Sequence, residues 1–329
     1  MTDHPSVDHG LTVGVDIGGS KVLAGVVDAA GAVVERLRRA TPSTSPAATE
    51  ETIVEVVNEL SSRHDVRAVG IGAAGYIDSS RSIVLFSPHL AWRNEPLRAS
   101  VESRVPVPVL IDNDANAGAW AEWRFGAGRG EPFLACVNLG TGIGGGLVVD
   151  GQLVRGGYGL AAEFGHVVVV PGGHRCECGN RGCWEQYASG NALVREARDL
   201  AMSRSPVAQG LLTLVDGDPS AITGPVVTAA AMAGDPAAIE LFGEVGSWLG
   251  LGLAGLAAVL DPTRFVIGGG VSAAGELLLG PARQAFHRSL TGRGYRPVAP
   301  VVAAALGNDA GFIGAADLAR EVIGRAPGA

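Results

Sequence analysis

The stretch VGVDIGGSKVLAGVVD at residues 13–28 and the stretch ACVNLGTGIGGGLVVD at residues 135–150 together decide the fold. In both, an apolar strand-like run enters a short glycine loop and a second apolar run leaves it, which is typical of a β-hairpin. This internal repeat predicts a chain of two related halves, each with a glycine hairpin. The alternative is that two apolar hairpins resemble each other by chance. Matching residues lie 122 positions apart: Val15 and Val137, Gly18 and Gly140, Asp28 and Asp150.

The rest of the chain alternates predicted helices with short apolar strands, which indicates an α/β protein. Ser45 and Pro46 suit the N-cap and the first turn of a helix whose apolar positions reach Leu60. A last helix, capped by Asn308 or Asp309, is expected to run to about Arg325. Further strands are predicted at 66–73, 107–111, 265–267 and 300–303, and further helices at 114–122, 192–201, 225–233, 237–260 and 274–290.

Length and composition restrict the class of protein. With 329 residues, 47% of them hydrophobic and 18% charged, the chain has the composition of a soluble protein of about two domains. The net charge of −8 argues against nucleic acid as a partner, because phosphate backbones bind basic faces. The apolar stretch 245–260 is shorter than a membrane span of about 20 residues, so we expect a buried helix and no membrane partner. Four cysteines and a polar N-terminus without a signal pattern predict a cytoplasmic protein.

Glycine loops let consecutive backbone N–H groups approach an anion closely, so two facing hairpins predict a site for a polyphosphate. Lys21, the only lysine of the chain, closes the first loop and would add positive charge. Ser20 or Thr141 would add a hydroxyl donor, and Asp16 would hold Mg²⁺ through water. A third glycine turn, at 268–270, follows a predicted strand and strengthens the prediction.

The segment Asp112-Asn113-Asp114-Ala115-Asn116 lies where a buried strand meets the N-terminus of a helix. Its acid and amide side chains supply donors and acceptors for a polyhydroxylated ligand. The helix end would keep Asp114 ionised, and an ionised Asp accepts a hydroxyl proton as that oxygen attacks phosphorus. The alternative is that Asp112 or Asp114 only caps the helix.

Three of the four cysteines lie within eight residues, at positions 176, 178 and 183. Three thiolates and one imidazole complete a tetrahedral structural Zn²⁺ site. His166 and His174 compete for the fourth position, and the spacing favours His166 because His174 lies only two residues before Cys176. Glu163, His166 and Glu185 flank the cluster, and a metal there would orient them toward a common point. Their alternative reading is two surface carboxylates and a core imidazole.

Six motifs stand in an order and spacing that are specific to one family. They are DIGGSK (16–21), DNDANAGA (112–119), LGTGIGGG (139–146), AAEFGH (161–166), CECGNRGCWEQYASG (176–190) and VIGGGVS (266–272). With them the chain resembles, from about Val13 to its C-terminus, the ROK family of repressors, unassigned frames and sugar kinases, and most closely its ATP-dependent glucokinases. The resemblance implies the duplicated actin-like ATPase (ribonuclease H-like) fold, with two domains that flank a cleft. The smaller domain would span 1–112, completed by a C-terminal helix at 310–329, and the larger would span 113–309 with the zinc loop.

The resemblance also implies a reaction, the ATP-dependent phosphorylation of glucose to glucose 6-phosphate in glycolysis, with Asp114 as the base that deprotonates the sugar 6-hydroxyl. Sugar hydroxyls would contact Gly72, Asn113, Asp114, Glu163, His166 and Glu185. ATP and its Mg²⁺ would contact Asp16, Gly18, Gly19, Ser20, Lys21, Gly140, Thr141 and Gly142 at the phosphates, and Gly268, Gly269, Gly270 and Val271 at the adenosine. Zinc would be bound by His166, Cys176, Cys178 and Cys183, so that His166 uses one ring nitrogen for the metal and the other for the sugar.

Departures from the family pattern are small. Ser20 stands where Thr is common and keeps the hydroxyl, whereas Trp120 and Trp123 stand where smaller residues are frequent and have no explanation in the sequence. Other substrates stay open: mannose, fructose, N-acetylmannosamine or N-acetylglucosamine, or polyphosphate as the donor. A sugar-responsive regulator is disfavoured, because only about ten residues precede the first strand and leave no room for a helix-turn-helix. The resemblance also implies a homo-oligomer, a dimer or a tetramer.

Overall fold

The computed structural model describes residues 10–323. Its strands are β1 (Leu11–Ile17), β2 (Lys21–Val27), β3 (Val33–Ala40), β4 (Val66–Ala73), β5 (Tyr76–Ile77), β6 (Val84–Phe86), β7 (Arg93–Glu95), β8 (Val109–Asn113), β9 (Phe133–Leu139), β10 (Ile143–Val149), β11 (Gln152–Leu153), β12 (Arg264–Gly268) and β13 (Val301–Ala303). Its helices are α1 (Pro46–Ser61), α2 (Leu97–Glu102), α3 (Asp114–Phe125), α4 (Glu185–Ala188), α5 (Gly190–Met202), α6 (Gln209–Thr213), α7 (Gly224–Met232), α8 (Pro236–Leu260), α9 (Glu276–Ser289) and α10 (Ala310–Leu318).

Two compact units divide the chain. The first contains Met1–Gly130, Gly146–Ala162 and Asn308–Ala329, and the second contains Glu131–Gly145 and Glu163–Gly307. The boundary predicted between residues 112 and 113 lies inside the first unit, because α3 packs directly on α10. At Gly314 of α10 an added Cβ would lie 1.7 Å from the carbonyl oxygen of Ala117 in α3, so only glycine permits this approach.

Both five-stranded sheets have the same construction. The first runs in the order β3-β2-β1-β4-β8 and the second in the order β11-β10-β9-β12-β13. In the first, β1 pairs antiparallel with β2 and parallel with β4, and in the second β9 pairs parallel with β12. The register also repeats, since Asp16 faces Gly72 and the residue 122 positions later, Asn138, faces Gly268. The predicted internal repeat is therefore a repeat of the whole sheet.

The core of the first unit lies on both faces of its sheet. Apolar residues of β1, β4 and α1, among them Val15, Ile71 and Ile53, are fully buried. On the other face α10 approaches the strands so closely that a Cβ at Gly14 or Gly70 would lie 1.8 Å from a carbonyl oxygen of the helix. The side chain of Ser45 accepts a hydrogen bond from the backbone N–H of Ala48, so it caps α1 as predicted.

Several elements differ from the sequence-based expectation. The strand β3, the small sheet β5-β6-β7 and the short helices α2, α4 and α6 were not predicted. The predicted strand at 107–111 begins instead at Val109 and reaches Asn113, and α3 continues beyond residue 122 to Phe125. The last α-helix ends at Leu318 and continues as a 3-10 turn to Val322, while Arg325 lies outside the described residues.

Helix α8 is longer and less completely buried than the sequence suggested. Its 25 residues are, by length and composition alone, long and apolar enough to cross a membrane, although the sequence suggested a stretch that is too short. It packs on α9, where a Cβ at Gly250 would lie 2.1 Å from the carbonyl oxygen of Ala282. Leu253 is fully buried, but Leu251 and Val259 are 41% and 82% exposed, so only one face of the helix is buried.

Candidate active site

The first glycine hairpin joins β1 to β2 in the first unit. The backbone N–H of Gly18 donates to the carbonyl of Lys21 (3.0 Å), and the Thr41 hydroxyl donates to the carbonyl of Gly18 (2.8 Å). A Cβ at Gly19 would lie 3.0 Å from the Cβ of His89, so a glycine lets this loop lie against the segment that carries His89. Ser20, at the loop's tip, is exposed. These hydrogen bonds thus hold the turn in place, while its tip is exposed to solvent.

Asp16 is the last residue but one of β1, next to this hairpin. Burial raises its pKa to about 7, the negative charge of Asp114 adds to the increase, and Lys21 opposes it. A Cβ at Gly311 of α10 would lie 2.7 Å from Cγ of Asp16, so the carboxyl group lies directly against the helix backbone. Asp16 therefore exchanges its proton near neutral pH, where a cation can compete for the carboxylate.

Strand register brings the acidic segment beside Asp16. Across the parallel strands β1, β4 and β8, Asp16 faces Gly72 and Gly72 faces Asp112. A Cβ at Gly72 would lie 3.4 Å from Cα of Asp114. The carboxyl ends of parallel strands are where α/β proteins bind ligands. The first unit therefore gathers Asp16, Gly72, Asn113 and Asp114 at one edge of its sheet.

The acidic segment is held by caps that differ from those expected. Asn113, and neither Asp112 nor Asp114, caps α3: its Oδ1 accepts from the N–H of Asn116 (3.0 Å), while its Nδ2 donates to the carbonyl of Gly75 (3.1 Å). Asp114 is then the first residue of the helix. Its carboxylate is therefore not the N-cap of the helix.

The balance of effects on the pKa of Asp114 differs from the one that the sequence suggested. Burial raises the pKa of Asp114, while its own N–H, that of Ala115 and the charge of His89 lower it without cancelling the increase. The helix end therefore does not dominate, as the sequence suggested it would. A carboxylate with a raised pKa is a stronger base than an ordinary Asp, and proton transfer is most effective when the pKa approaches the working pH.

The second unit contains the other two glycine turns. The N–H of Gly140 donates to the carbonyl of Gly142 (3.0 Å), and the N–H groups of Gly190 and Asn191 donate to the carbonyls of Gly140 and Thr141 (2.9 and 3.3 Å). Sequence reasoning missed this support from the start of α5. At the third turn, Gly269 has φ +82° and lies against the backbone of Leu139, where a Cβ would lie 2.4 Å from the carbonyl oxygen. The third turn thus depends on glycine for close backbone packing, whereas the second is held by hydrogen bonds from the start of α5.

The cysteine cluster forms a compact set of metal ligands with His166. One ligand atom from each of the four residues lies within 4.8 Å of all the others. His166 Nδ1 is 3.6 Å from Cys176 Sγ, and Cys178 Sγ is 3.6 Å from Cys183 Sγ. Tetrahedral zinc with bonds of about 2.3 Å to sulfur and about 2.0 Å to nitrogen requires separations of about 3.6–3.8 Å, so the donor set fits this ion. His174 instead contacts the ring of Tyr187 in a tilted arrangement, with ring centroids 5.2 Å apart.

Two carboxylates adjoin this cluster in the second unit. Glu185 Oε1 is 3.6 Å from His166 Nδ1 and accepts from the thiol of Cys176 (3.0 Å), while its Oε2 accepts from the N–H of Ile143 (3.3 Å). Burial and then this contact with Glu185 raise the pKa of the Cys176 thiol. Glu163 Oε2 is 4.0 Å from His166 Nε2. The three predicted sugar contacts of this unit, Glu163, His166 and Glu185, are therefore neighbours.

The two tryptophans without a sequence explanation have structural roles in the first unit. Trp120 Nε1 donates to Asp317 Oδ2 (2.8 Å), and Arg124 Nε donates to the same oxygen (3.0 Å), so both join α3 to α10. The rings of Trp120 and Trp123 lie 5.1 Å apart. The two hydrogen bonds to Asp317 have no sequence signal, because their partners are almost 200 positions apart.

Two halves with the same strand order, each carrying a glycine hairpin between its first two strands, define a protein of the actin-like ATPase fold. Comparison with known proteins agrees with this class. A model of the ROK family matches residues 12–322, and this chain belongs to the ROK family. The predictions of the family and of its fold are confirmed.

Relatives with known names are similar over almost the whole chain. Glucokinase of Streptomyces coelicolor is 50% identical over 312 residues, which cover 95% of this chain and 98% of that protein. Glucokinase of Thermotoga maritima is 37% identical and covers the same shares. Among solved structures, a ROK family glucokinase from Streptomyces griseus in complex with glucose and AMPPNP matches with a TM-score of 0.89 and 52% identity, covering 95% of this chain and 100% of that one.

Proposed function

We propose that this chain is an ATP-dependent glucokinase that transfers the γ-phosphoryl group of ATP to the 6-hydroxyl of glucose. The observation that carries the proposal is Asp114, which stands at the first position of α3 beside Gly72, with Asp16 opposite Gly72 in the sheet. The similarity to the Streptomyces coelicolor glucokinase and to the Streptomyces griseus complex with glucose and AMPPNP supports both substrates.

Asp114 acts in this proposal as the general base. Its carboxylate accepts the proton of the 6-hydroxyl as that oxygen attacks the γ-phosphorus, the bond from phosphorus to the bridging oxygen breaks, and ADP leaves. The raised pKa of Asp114 favours this proton transfer. Asn113, fixed by its hydrogen bonds to Asn116 and Gly75, and the neighbours Glu163, His166 and Glu185 bind the other sugar hydroxyls.

The glycine turns bind ATP. Residues 18–21 and 140–142 contact the phosphates through backbone N–H groups and the hydroxyls of Ser20 and Thr141, and residues 268–271 border the adenosine. Asp16 offers the hard oxygen ligand that Mg²⁺ prefers, and would hold the ion through water. When bound, Mg²⁺ neutralises charge on the phosphates. Lys21 lowers the pKa of Asp16 and so favours the ionised form that a cation requires.

Zinc would be held by His166, Cys176, Cys178 and Cys183, and would supply structural cross-linking of the loop that precedes Glu185. His166 directs Nδ1 at Cys176, which leaves Nε2, on the side of Glu163, for a sugar hydroxyl. The proposal extends to a cytoplasmic homo-oligomer, a dimer or a tetramer. The exposed Leu251 and Val259 of α8 support self-association, and the net charge of −8 supports the absence of a nucleic-acid partner.

A coupled assay with ATP across a sugar panel tests the proposal. We expect glucose to give the highest kcat/KM, ahead of mannose, fructose, N-acetylmannosamine and N-acetylglucosamine. Asp114→Asn should reduce kcat about 10²- to 10⁴-fold with little change in glucose affinity, since a general base contributes about that factor. Asp199→Asn, on the exposed side of α5, is the control and should keep wild-type activity. More than about a tenth of wild-type kcat in Asp114→Asn would remove Asp114 from the base role.

A further inference from the structure

Asp112, which directly precedes Asn113 and Asp114, is a buried carboxylate with four polar partners. Asp112 is 2% exposed. Its Oδ1 accepts from the N–H of Asn113 (2.9 Å) and from Nδ2 of Asn116 (3.2 Å). Its Oδ2 accepts from Nε of Arg155 (2.8 Å), lies 2.7 Å from Nη2 of the same arginine, and lies 3.2 Å from Nη2 of Arg81. One carboxylate oxygen thus binds the segment 113–116, and the other binds the two arginines.

Arg155 begins the loop 155–162, which continues directly into Glu163. The N–H of Ala161 donates to the carbonyl of Arg155 (3.0 Å), so the loop is closed on its own first residue. Gly159, with φ +85°, lies against the segment 77–79, where a Cβ would lie 2.6 Å from the carbonyl oxygen of Ile77. The loop's only ion pair with the strand that carries Asn113 is the pair of Arg155 with Asp112, among the described residues of the first unit.

From this arrangement we propose that Asp112 is a positioning residue for the sugar: through Arg155 it holds the loop that leads into Glu163, while its other oxygen fixes Asn113. The proposal rests on the proposed function, because it assigns Glu163 and Asn113 to the sugar hydroxyls. Asp112 itself contacts no reacting atom. Its effect is on placement, and a misplacement of about 1 Å in such a site can cost about 10²-fold.

The variant Asp112→Asn distinguishes the contribution of one side-chain oxygen from that of the other. Its amide oxygen still accepts from the N–H of Asn113, whereas the ion pairs with Arg155 and Arg81 are lost. Arg155→Met breaks the same link from the other side and substitutes for only the aliphatic part of the arginine side chain. We expect both variants to raise the KM for glucose at least tenfold, with kcat within about threefold of wild type and the KM for ATP within about twofold. Arg155→Lys, which keeps the charge without the two-point contact, should give an intermediate KM.

Asp317 offers a matched control in the same unit. It is 6% exposed, pairs with Arg124 (3.0 Å) and Arg320 (3.3 Å), and joins α3 to α10 instead of the acidic segment to the loop. Asp317→Asn therefore leaves a comparable pair of arginines without their carboxylate and should lower the melting temperature as much as Asp112→Asn. Its KM for glucose should stay within about twofold of wild type. A role of Asp112 in stability alone would make the two variants alike in both measurements.

Hydrogen exchange adds a readout that does not need activity. Amide exchange across 155–162 should accelerate at least tenfold in Asp112→Asn and in Arg155→Met, and stay unchanged in Asp317→Asn. Unchanged exchange in this loop, or a glucose KM of Asp112→Asn equal to that of Asp317→Asn, would overturn the positioning role. If wild type phosphorylates no sugar, the proposed function fails by itself, and the exchange measurement still decides whether Asp112 holds the loop.

Discussion

Removing the charge of Asp16 should make the protein more stable at neutral and alkaline pH, although it removes a residue that we assign to MgATP. The pKa of Asp16 is raised from 3.8 to about 7, chiefly by burial. A group whose folded-state pKa is raised stabilises the fold most at low pH, and that stability is lost as the pH rises through the folded pKa. The ionised side chain of Asp16 is therefore unfavourable in the folded protein, and Asp16→Asn removes this cost.

The size of the effect follows from the shift. About 3 pKa units correspond to about 4 kcal/mol at most, since one unit is about 1.4 kcal/mol. Asp16 is partly exposed, and solvent screening reduces the cost to about 2 kcal/mol. A change of 1 kcal/mol shifts the melting temperature of a chain of this size by about 2 °C. The advantage of Asp16→Asn over wild type should therefore grow by about 3 °C between pH 5 and pH 8 and stay level above pH 8.

Thermal unfolding of both proteins without ligands, in steps from pH 5 to pH 9, measures this difference. Asp78→Asn is the control with the opposite sign. Burial raises the pKa of Asp78, but hydrogen bonds from Ser80, Ser82 and Ile83 outweigh it and lower the pKa, so its ionised form stabilises the fold above about pH 4. That variant should melt below wild type throughout. A difference between Asp16→Asn and wild type that is constant from pH 5 to pH 9 would refute the reasoning, because local packing and not ionisation would then explain it.

Two further variants test the second unit. Cys178→Ser should lower the zinc content from about one ion per chain to below about a tenth, because three ligands hold structural zinc poorly. The melting temperature should fall as well. A full complement of zinc in this variant, found by metal analysis, would contradict the site. Gly142→Ala places a Cβ 2.4 Å from Oε2 of Glu185, which must turn away from the N–H of Ile143. Because the end of the Glu185 side chain is flexible, the melting temperature should change by less than about 2 °C. The KM for glucose should rise at least fivefold, and an unchanged KM would show that Glu185 does not contact the sugar.

The elements that sequence patterns predicted are those whose signal is local. The hairpins at 13–28 and 135–150 show apolar runs on either side of glycine loops, and α1 begins at a Ser-Pro pair that caps a helix. Strand β3 was missed because its sequence VVERLRRA has three arginines. Its alternate residues Val33, Glu35 and Leu37 are half-buried, and it lies at the edge of the sheet, where charged side chains are common.

The contacts that sequence patterns could not predict join residues far apart in the chain. Asp112 meets Arg81 and Arg155, 31 and 43 positions away, and only the fold brings them together. The same holds for the protonation of Asp114. The helix N-terminus was visible in the sequence and predicts a lowered pKa, but the burial that outweighs it is a property of the packed unit.

Comparison of the two repeats indicates why the base is expected in one of them only. Asp16 faces Gly72 in the first sheet, and in the second the matching residues are Asn138 and Gly268. The glycines are the same, since each leaves space beside the strand end, but the carboxylate has become an amide that does not titrate. The connection to the next helix also differs: β8 ends at Asn113 and leads directly into Asp114, the first residue of α3, whereas β13 ends at Ala303, six residues before Asp309 at the start of α10. Both halves therefore keep the glycine hairpin that we propose for the phosphates, whereas the two carboxylates that we propose for Mg²⁺ and proton transfer, Asp16 and Asp114, belong to the first half.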